Sequence, residues 1–342
     1  MTELQCERLA PEAIDARDWD RLAEESRNLF ATREFLSCWW RHFGQGSPEF
    51  TMCRDGAGRA VGLLPLYTRR RAGLTVARFA GHGPGDHLGP IAGREARPEV
   101  GAALRRTLAD LGCDLLVAEH VPVDDGWQSA IGGHIVRDDA APLITGESWE
   151  SYSQSRSSHF RRKLRWQMRR LAQEGEVTMR LSDASTLERD LETLFRLHGT
   201  RWEGQTDFLD HAPFHREFAP AALERGWLRL WQLELDGETI ASSYGFRFAG
   251  REWQLQTGRD PRITIVSAGL LLLWRTLELA FEDGINEYLL LLGDEDYKSR
   301  LATGDGRLET RVVTYTLRGR STLWLGGIAD RLGLAGRLAR QG

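Results

Sequence analysis

Near the end of the chain stands the segment Gly293-Asp294-Glu295-Asp296-Tyr297-Lys298. It gathers three carboxylates, a phenol and an ammonium, the groups that exchange protons in acid–base chemistry. A carboxylate whose pKa is raised by burial can take a proton, directly or through water. Lys298 could bind an anionic group. The chain has 45 basic residues, yet Lys163 and Lys298 are its only lysines. A compact ammonium kept where arginine is used almost everywhere else points to a specific contact. A second constellation lies just upstream. Ser267-Ala268-Gly269 opens a helix behind a loop that carries Arg259 and Arg262. The first amides of a helix lack intrahelical partners, and the dipole adds positive charge there. Small residues let a phosphate approach those amides. The spacing is neither a Walker A loop nor a Gly-x-Gly-x-x-Gly fingerprint.

These groups need elements to hold them. Glu252 to Thr257 alternates polar and apolar and predicts a half-buried strand with Trp253 and Leu255 on one face. A helix capped by Ser267 follows, with Leu270, Leu273, Trp274, Leu277 and Phe281 on one face and Gly284 as its stop. Ile285 to Leu292 returns as a leucine-rich strand buried on both faces. Earlier, residues 157 to 173 read as a helix with Phe160, Leu164, Met168 and Leu171 on one face. Arg161, Arg162, Lys163, Arg165, Arg169 and Arg170 surround that face, Arg156 precedes it, and no acid appears before Glu174. A merely solvated face mixes signs, so this one is expected to bind an anionic group. His82, Asp86 and His87, and the pair His211 and His215, suggest metal. Pro213 inside the second pair is expected to spoil a helical ligand spacing, and no metal is expected.

The whole chain, 342 residues with a net charge of −4, has room for two domains and no general pull toward nucleic acid or anionic membrane. Four cysteines, Cys6, Cys38, Cys53 and Cys113, form no Cys-x-x-Cys, which argues against a disulfide framework or a zinc site and suits a reducing compartment. The polar N-terminus is no signal peptide, and apolar runs fall short of a membrane span. A cytoplasmic protein without stable membrane insertion is expected. The two halves share one order of elements: two helices, three meandering strands, a loop, a helix and a strand. Residues 18 to 43 supply the first two helices. Phe50 to Arg54, Val61 to Thr68 and Thr75 to Ala80 are the strands, followed by a helix near Glu99 to Leu111 and a strand from Asp114 to Glu119. In the second half the strand Val177 to Leu181 precedes helices near Leu187 to Trp202 and Phe214 to Arg225. A hairpin about Asp236-Gly237 and a closing strand from Leu308 to Leu317 complete it. The expected fold is α+β, two tandem units, each a mixed, mostly antiparallel sheet flanked by helices. Boundaries fall at 1–145, 146–320 and an amphipathic tail at 321–342. The first unit, through Asp86 and His87, is expected to help hold substrate, and the second to bind a phosphate-bearing cofactor.

That order resembles the topology of GNAT acetyltransferases. The second half resembles the CelD-type, cellulose-biosynthesis-like members, which are related to Fem aminoacyl transferases. The resemblance rests on Ser155-Arg156-Ser157-Ser158-His159-Phe160-Arg161-Arg162-Lys163-Leu164, Leu197-His198-Gly199-Thr200-Arg201-Trp202, Gln256-Thr257-Gly258-Arg259-Asp260-Pro261 and the segment from Gly293 to Lys298. It implies an acyl-CoA donor, acetyl-CoA, and an amine acceptor that attacks the thioester directly in a ternary complex. It places the donor at Gln256, Thr257, Arg259, Arg262, Ser267, Ala268 and Gly269, although the usual two-glycine spacing is missing and Leu292 stands where relatives carry a basic residue. By the same resemblance Tyr297 is the general acid; among the carboxylates of the segment Asp294 is the expected base, and Lys298 completes the catalytic set as a cation that could bind a phosphate or an acidic acceptor. Arg161, Arg162, Arg201, Trp202, Asp86 and His87 are expected to hold a small-molecule or saccharide acceptor, such as an amino sugar or polysaccharide precursor. Two alternatives stand beside this reading. One is a Fem-like transferase that takes its acyl group from aminoacyl-tRNA, with RNA as partner. The other is a catalytically degenerate fold that serves exopolysaccharide production as a binding protein.

Overall fold

The computed structural model describes residues 4–201 and 206–324. The chain forms two compact units, residues 1–139 with 307–342 and residues 140–306. In chain order the first part of unit 1 contains β1 (Gln5–Arg8), α1 (Ala16–Ser26), α2 (Arg33–Phe43), β2 (Ser47–Arg54), β3 (Ala60–Arg71), β4 (Leu74–Phe79), α3 (Arg97–Asp110), β5 (Leu115–Pro122), α4 (Gln128–Ile131) and β6 (His134–Ala140). Unit 2 follows with β7 (Leu143–Thr145), α5 (Trp149–Ser155), α6 (Ser158–Leu171), β8 (Val177–Leu181), α7 (Leu187–Arg201), α8 (Asp207–Asp210) and α9 (Ala212–Glu224). It continues with β9 (Leu228–Leu235), β10 (Glu238–Phe248), β11 (Arg251–Arg259), α10 (Ala268–Glu282), β12 (Glu287–Leu289) and α11 (Asp296–Leu301). The chain then returns to unit 1 with β13 (Arg307–Thr314) and α12 (Leu317–Trp324). No described helix is long and apolar enough to cross a membrane.

Local chemistry accounts for the element ends. The side chains of Asp15, Thr32, Ser148, Ser157 and Thr206 accept amide hydrogen bonds at the starts of α1, α2, α5, α6 and α8, satisfying donors that each helix leaves open. Between β9 and β10, Asp236 and Gly237 both have positive φ, 50° and 79°, the pairing that a tight two-residue hairpin turn requires.

Each unit has its own mixed sheet. Unit 1 has the order β1-β2-β3-β4-β5-β13-β6 and unit 2 the order β7-β12-β11-β10-β9-β8. In both, one parallel pair is joined through a helix, β4 to β5 by α3 and β11 to β12 by α10. The remaining pairs are antiparallel hairpins or returns, as in an α+β fold. The sheet of unit 2 is covered on both faces. Gly258 of β11 meets Leu194, Leu197 and His198 of α7, while α5, α6 and α10 share an apolar cluster with Leu233, Ile240, Ala241 and Tyr288.

Several expectations need correction. The strand from Arg307 to Thr314 does not close the second sheet. It pairs antiparallel with β5 in the first, where its backbone finds Leu115 to Pro122 open. The strand that borders β12 is β7, which sequence patterning did not reveal because it is three residues long. The leucine run Ile285 to Leu292 is a strand only over Glu287–Leu289, for Leu291 has a positive φ of 57° that ends extended structure. The strand expected to be half-buried is instead covered on both sides, with Glu252, Trp253 and Gln254 all buried. Pro213 does not break the spacing of His211 and His215. It lies in the first turn of α9, where a missing N–H costs nothing, and the His215 amide donates to the His211 carbonyl at 3.2 Å. Trp202 and the tail beyond residue 324 lie outside the described residues, as does the side chain of Arg201.

Candidate active site

The parallel pair of unit 2 parts almost as soon as it forms. β11 and β12 are in register only at Glu252 with Tyr288 and Trp253 with Leu289. β11 runs on to Arg259, whereas the chain after Leu289 turns toward the opposite neighbour. The Leu290 amide donates to the Pro142 carbonyl and the Gly293 amide to the Ala140 carbonyl, both at 3.0 Å. On its other edge β11 carries a bulge. Tyr244 of β10 faces Gln256 and Gly245 faces Gln254, so Leu255 is the extra residue. A bulge leaves its extra residue without a cross-strand partner and re-aims the strand. The result is a strand whose outer edge, from Gln254 onward, is not continued by β12.

At the far end of this strand α10 begins. Ser267 occupies the cap position but makes no capping bond with its side chain. The Leu271 amide donates to the Ser267 carbonyl at 3.0 Å, and the amides of Ala268, Gly269 and Leu270 have no partner among the described residues. Gly269 lies against β11. A Cβ there would come within 3.2 Å of Thr257 Cγ2 and about as near as ordinary contact, 3.9 Å, to Arg259 Cβ. Arg259 therefore runs beside the first turn of a fifteen-residue helix, and its guanidinium has no ion pair among the described residues. Three open amides, a helix dipole and an unpaired arginine are together suited to an anion. Arg262 does not share in it. Its guanidinium is held by both oxygens of Asp260 and by Glu238 at 2.7 Å, and these carboxylates push its pKa further up.

A polar chain runs from Thr257 of that site through Gln254 to Tyr288. Gln254 Nε2 donates to Thr257 Oγ1 at 3.2 Å and to the Gln256 carbonyl at 2.9 Å. Gln254 Oε1 accepts from Ser243 Oγ and from the Tyr288 hydroxyl, each at 3.0 Å. The Tyr288 hydroxyl also lies 3.2 Å from Thr276 Oγ1 of α10. Burial pushes the Tyr288 phenol far up, and the charge of nearby Glu252 adds to this, so the hydroxyl stays protonated. Tyr297 is near enough to act on Tyr288 in the same sense, and its half-buried ring packs on the apolar cluster beneath α10. Lys298 is 5% exposed. Its ammonium donates to the Leu292 carbonyl and pairs with Glu295 at 3.1 Å. A Cβ on Gly293 would come within 2.7 Å of that ammonium, and Gly293 has a φ of 124°, so the turn requires glycine.

The helix α11, which carries Tyr297 and Lys298, is tied down from behind. Arg156 donates to the carbonyls of Leu301 and Ala302 at 3.3 and 2.7 Å and stacks on Tyr152, whose hydroxyl donates to Leu301. A cation on the last carbonyls of a helix is favourable. Arg156 was expected in the anion-binding face of α6, and it is instead this anchor. Asp294 and Asp296 are exposed, and Asp296 pairs with Arg300 at 3.1 Å. On α6, Phe160, Leu164, Gln167 and Leu171 are buried while Met168 is exposed. Arg162, Lys163, Arg165 and Arg169 are exposed without ion pairs among the described residues, and Trp166 stands among them, 53% exposed. Arg161 is half-buried, with its Nε enclosed.

The structure thus brings Gln256, Thr257, Arg259, Ser267, Ala268 and Gly269 to one end of β11, with Tyr297 near Tyr288 of the Gln254 chain, while Lys298 is held by Leu292 and Glu295. Sequence reasoning missed Ser243, Gln254, Thr276 and Tyr288. The available signal was a glutamine and a serine at positions that a leucine-rich sheet would fill with apolar residues.

Asp86 and His87 belong to unit 1, in the loop after its own parallel pair. There β4 and β5 are in register at Val76 to Arg78 with Leu115 to Val117. The opening beyond is taken by the chain's own loop, for the Leu88 amide donates to the His120 carbonyl at 3.1 Å and the Gly85 amide to the Gly81 carbonyl at 2.9 Å. The Asp86 carboxylate lies 3.9 Å from His120 Nδ1, and the His87 carbonyl accepts from Asn28 at 2.9 Å. The α3 helix begins only at Arg97.

Comparison with known proteins agrees with this geometry. Residues 158–299 match the family model described as an acetyltransferase (GNAT) domain. No curated protein matches the sequence. Among solved structures, FemX is 13% identical with a TM-score of 0.66 and covers 94% of this chain and 99% of its own. L-PGS from Bacillus licheniformis is 12% identical with a TM-score of 0.55, over 93% and 96%. A tandem GNAT protein from the clavulanic acid biosynthesis pathway is 14% identical with a TM-score of 0.50, over 91% and 98%. At such identities the likeness is one of fold. The domain match lies inside unit 2 and contains the parted strands, the α10 amides and the tyrosine of α11, and with the shared fold it supports a GNAT-type N-acyltransferase.

Proposed function

We propose that unit 2 is an acyl-CoA-dependent N-acyltransferase whose donor site lies where β11 meets α10. The observation that carries this reading is the group of three unpartnered α10 amides beside the unpaired Arg259, with Gly269 keeping the approach free of a side chain. The amides of Ala268 to Leu270 and the Arg259 guanidinium bind the donor's pyrophosphate. The edge of β11 that β12 does not continue, from Gln254 to Thr257, lies along its chain and orients it. Acetyl-CoA held there supplies a thioester carbonyl to an amine. The backbone at the Leu255 bulge offers an amide to the carbonyl oxygen. Tyr297 gives its proton to the departing thiolate. Asp294, exposed beside Gly293, takes the amine proton through water. Lys298 does not touch the reacting atoms in this scheme; it fixes the Leu292 carbonyl and so the start of the acidic segment. The acceptor is an amine, and the resemblance in the second half favours one on a sugar or saccharide precursor.

Calorimetry with acetyl-CoA tests the donor site. The intact protein is expected to bind, and Gly269→Asp, which sets a carboxylate against Thr257 in the amide cradle, is expected to lose at least tenfold in affinity. Equal binding by both proteins would remove the assignment.

The exposed face of α6 favours a second reading, in which the acyl group arrives on RNA. Arg162, Lys163, Arg165 and Arg169 surround Trp166, an arrangement in which phosphates pair with cations and a base stacks on the indole. Salt-sensitive binding of tRNA, lost on Arg162→Glu with Arg165→Glu, would favour it, and absence of binding at low salt would end it.

A further inference from the structure

Cys6 and Cys53 stand directly opposite each other on β1 and β2. The Leu9 amide donates to the Phe50 carbonyl at 2.9 Å along the same ladder, so Leu9 and Phe50 are a hydrogen-bonded pair. Antiparallel pairs alternate, which places Cys6 and Cys53 at a non-hydrogen-bonded position, where facing Cα atoms are about 4.5 Å apart and side chains are closest. That separation lies within the range of roughly 4.4–6.8 Å that a disulfide spans. The two sulfurs are 3.3 Å apart. β1 is the edge strand of its sheet, so only β2 restrains it through the ladder. Cys6 is exposed and Cys53 buried.

We infer that Cys6 and Cys53 form a reversible cross-strand disulfide, a redox modification site in unit 1. The exposed thiol reacts first. The Cys6 thiolate attacks one sulfur of a small disulfide such as oxidised glutathione, breaking its S–S bond and releasing one glutathione thiolate. Cys53 then gives up its proton to water and attacks the Cys6 sulfur. The mixed disulfide breaks, and the second glutathione leaves as a thiolate that takes up a proton. Two protein thiols lose two electrons in all, and one glutathione disulfide becomes two thiols. In the reduced protein the hydrogen bond with Cys6 and then burial push the Cys53 thiol up, and the burial that persists in the mixed disulfide makes the second step the slow one. Closing the bond brings the sulfurs to about 2.05 Å, a movement that the edge strand can supply.

The test uses the full chain, equilibrated in glutathione buffers of increasing oxidised fraction, acid-quenched and digested. The expected result is a peptide linking Cys6 to Cys53, an intact mass lower by two hydrogens, and reversal by dithiothreitol. The melting temperature of the oxidised protein should rise by several degrees, because the link closes a long loop. Cys6→Ser, an exposed edge substitution that leaves the core untouched, should show neither the link nor any dependence of melting on the buffer. A glutathione adduct that stays on Cys6 in the most oxidising buffer would overturn the inference. So would a linked peptide joining any other pair of cysteines.

Discussion

At the scale of the residue, the site depends on a few side chains that place others. Tyr297 is the one to which the proposed chemistry assigns a proton. Tyr297→Phe should lower kcat by about 10²–10⁴-fold while the KM for acyl donor changes little, the usual size of a general-acid contribution. A pH–rate profile identical to that of the parent would exclude the role. Lys298 makes a different prediction. Its ammonium is buried, donates to the Leu292 carbonyl and pairs with Glu295, so Lys298→Met removes both contacts and should cost about 1–3 kcal/mol. Urea unfolding reads this directly, and an unchanged midpoint would show the contacts to be dispensable. His215 governs acid stability. Burial, with the nearby His211 charge, pushes its imidazole down to about 3, below the unfolded value near 6.5. Between those values the unfolded chain binds the extra proton. Its contribution to stability is therefore complete above about pH 6.5 and declines as pH falls toward 3. His215→Gln should flatten that decline, visible as a smaller drop in urea midpoint from pH 7 to pH 4.

At the scale of the element, β11 organises unit 2. It has α7 on one face and α10 on the other, a bulge in the middle and a partner strand that leaves it after two residues. Gly258 is where α7 comes closest, since a Cβ would lie 2.9 Å from Leu197 Cβ and 3.1 Å from the Leu194 carbonyl oxygen. Gly258→Ala must push helix and strand apart, and overpacking of this kind costs about 1–3 kcal/mol. Because the same strand carries Thr257 and Arg259, donor affinity should fall along with stability. A variant with full affinity and a lowered unfolding midpoint would separate the strand's packing from its binding role. The longer helices α6, α7, α9 and α10 and the β9–β10 hairpin were legible in sequence, because apolar spacing, capping residues and the Asp236-Gly237 turn are local signals. The bulge at Leu255 was not, and it shifts which side chains of β11 face α10. Period-2 reading continues through a bulge as though the strand were regular, so the inward turn of Gln254 escaped notice.

At the scale of the whole molecule, the chain leaves unit 1 after Asp139, builds unit 2 and returns to unit 1 with β13. Each sheet is completed by a strand on the far side of a sequence boundary. A fragment of residues 140–306 retains β7 beside β12 and the contacts of Leu290 and Gly293 with Pro142 and Ala140. We expect it to fold and unfold cooperatively by circular dichroism. A fragment that starts at residue 146 loses all of these and exposes the β12 edge, and it should aggregate or melt at least several degrees lower. Equal melting of the two fragments would show β7 to be an accessory.

The sequence by itself determined the two repeated orders of helix and strand, the helix-opening Ser267-Ala268-Gly269, and the acidic segment with its tyrosine and lysine. These are properties of neighbouring residues, and local physics is sufficient to express them. Only the tertiary structure decided which of the basic residues remain available. Arg262 is neutralised by Asp260 and Glu238, Arg156 holds the end of α11, and Arg259 stays unpaired beside the open amides. Three arginines alike in sequence acquire three fates because an ion pair depends on which carboxylate or carbonyl the fold brings within reach, and no spacing along the chain records that.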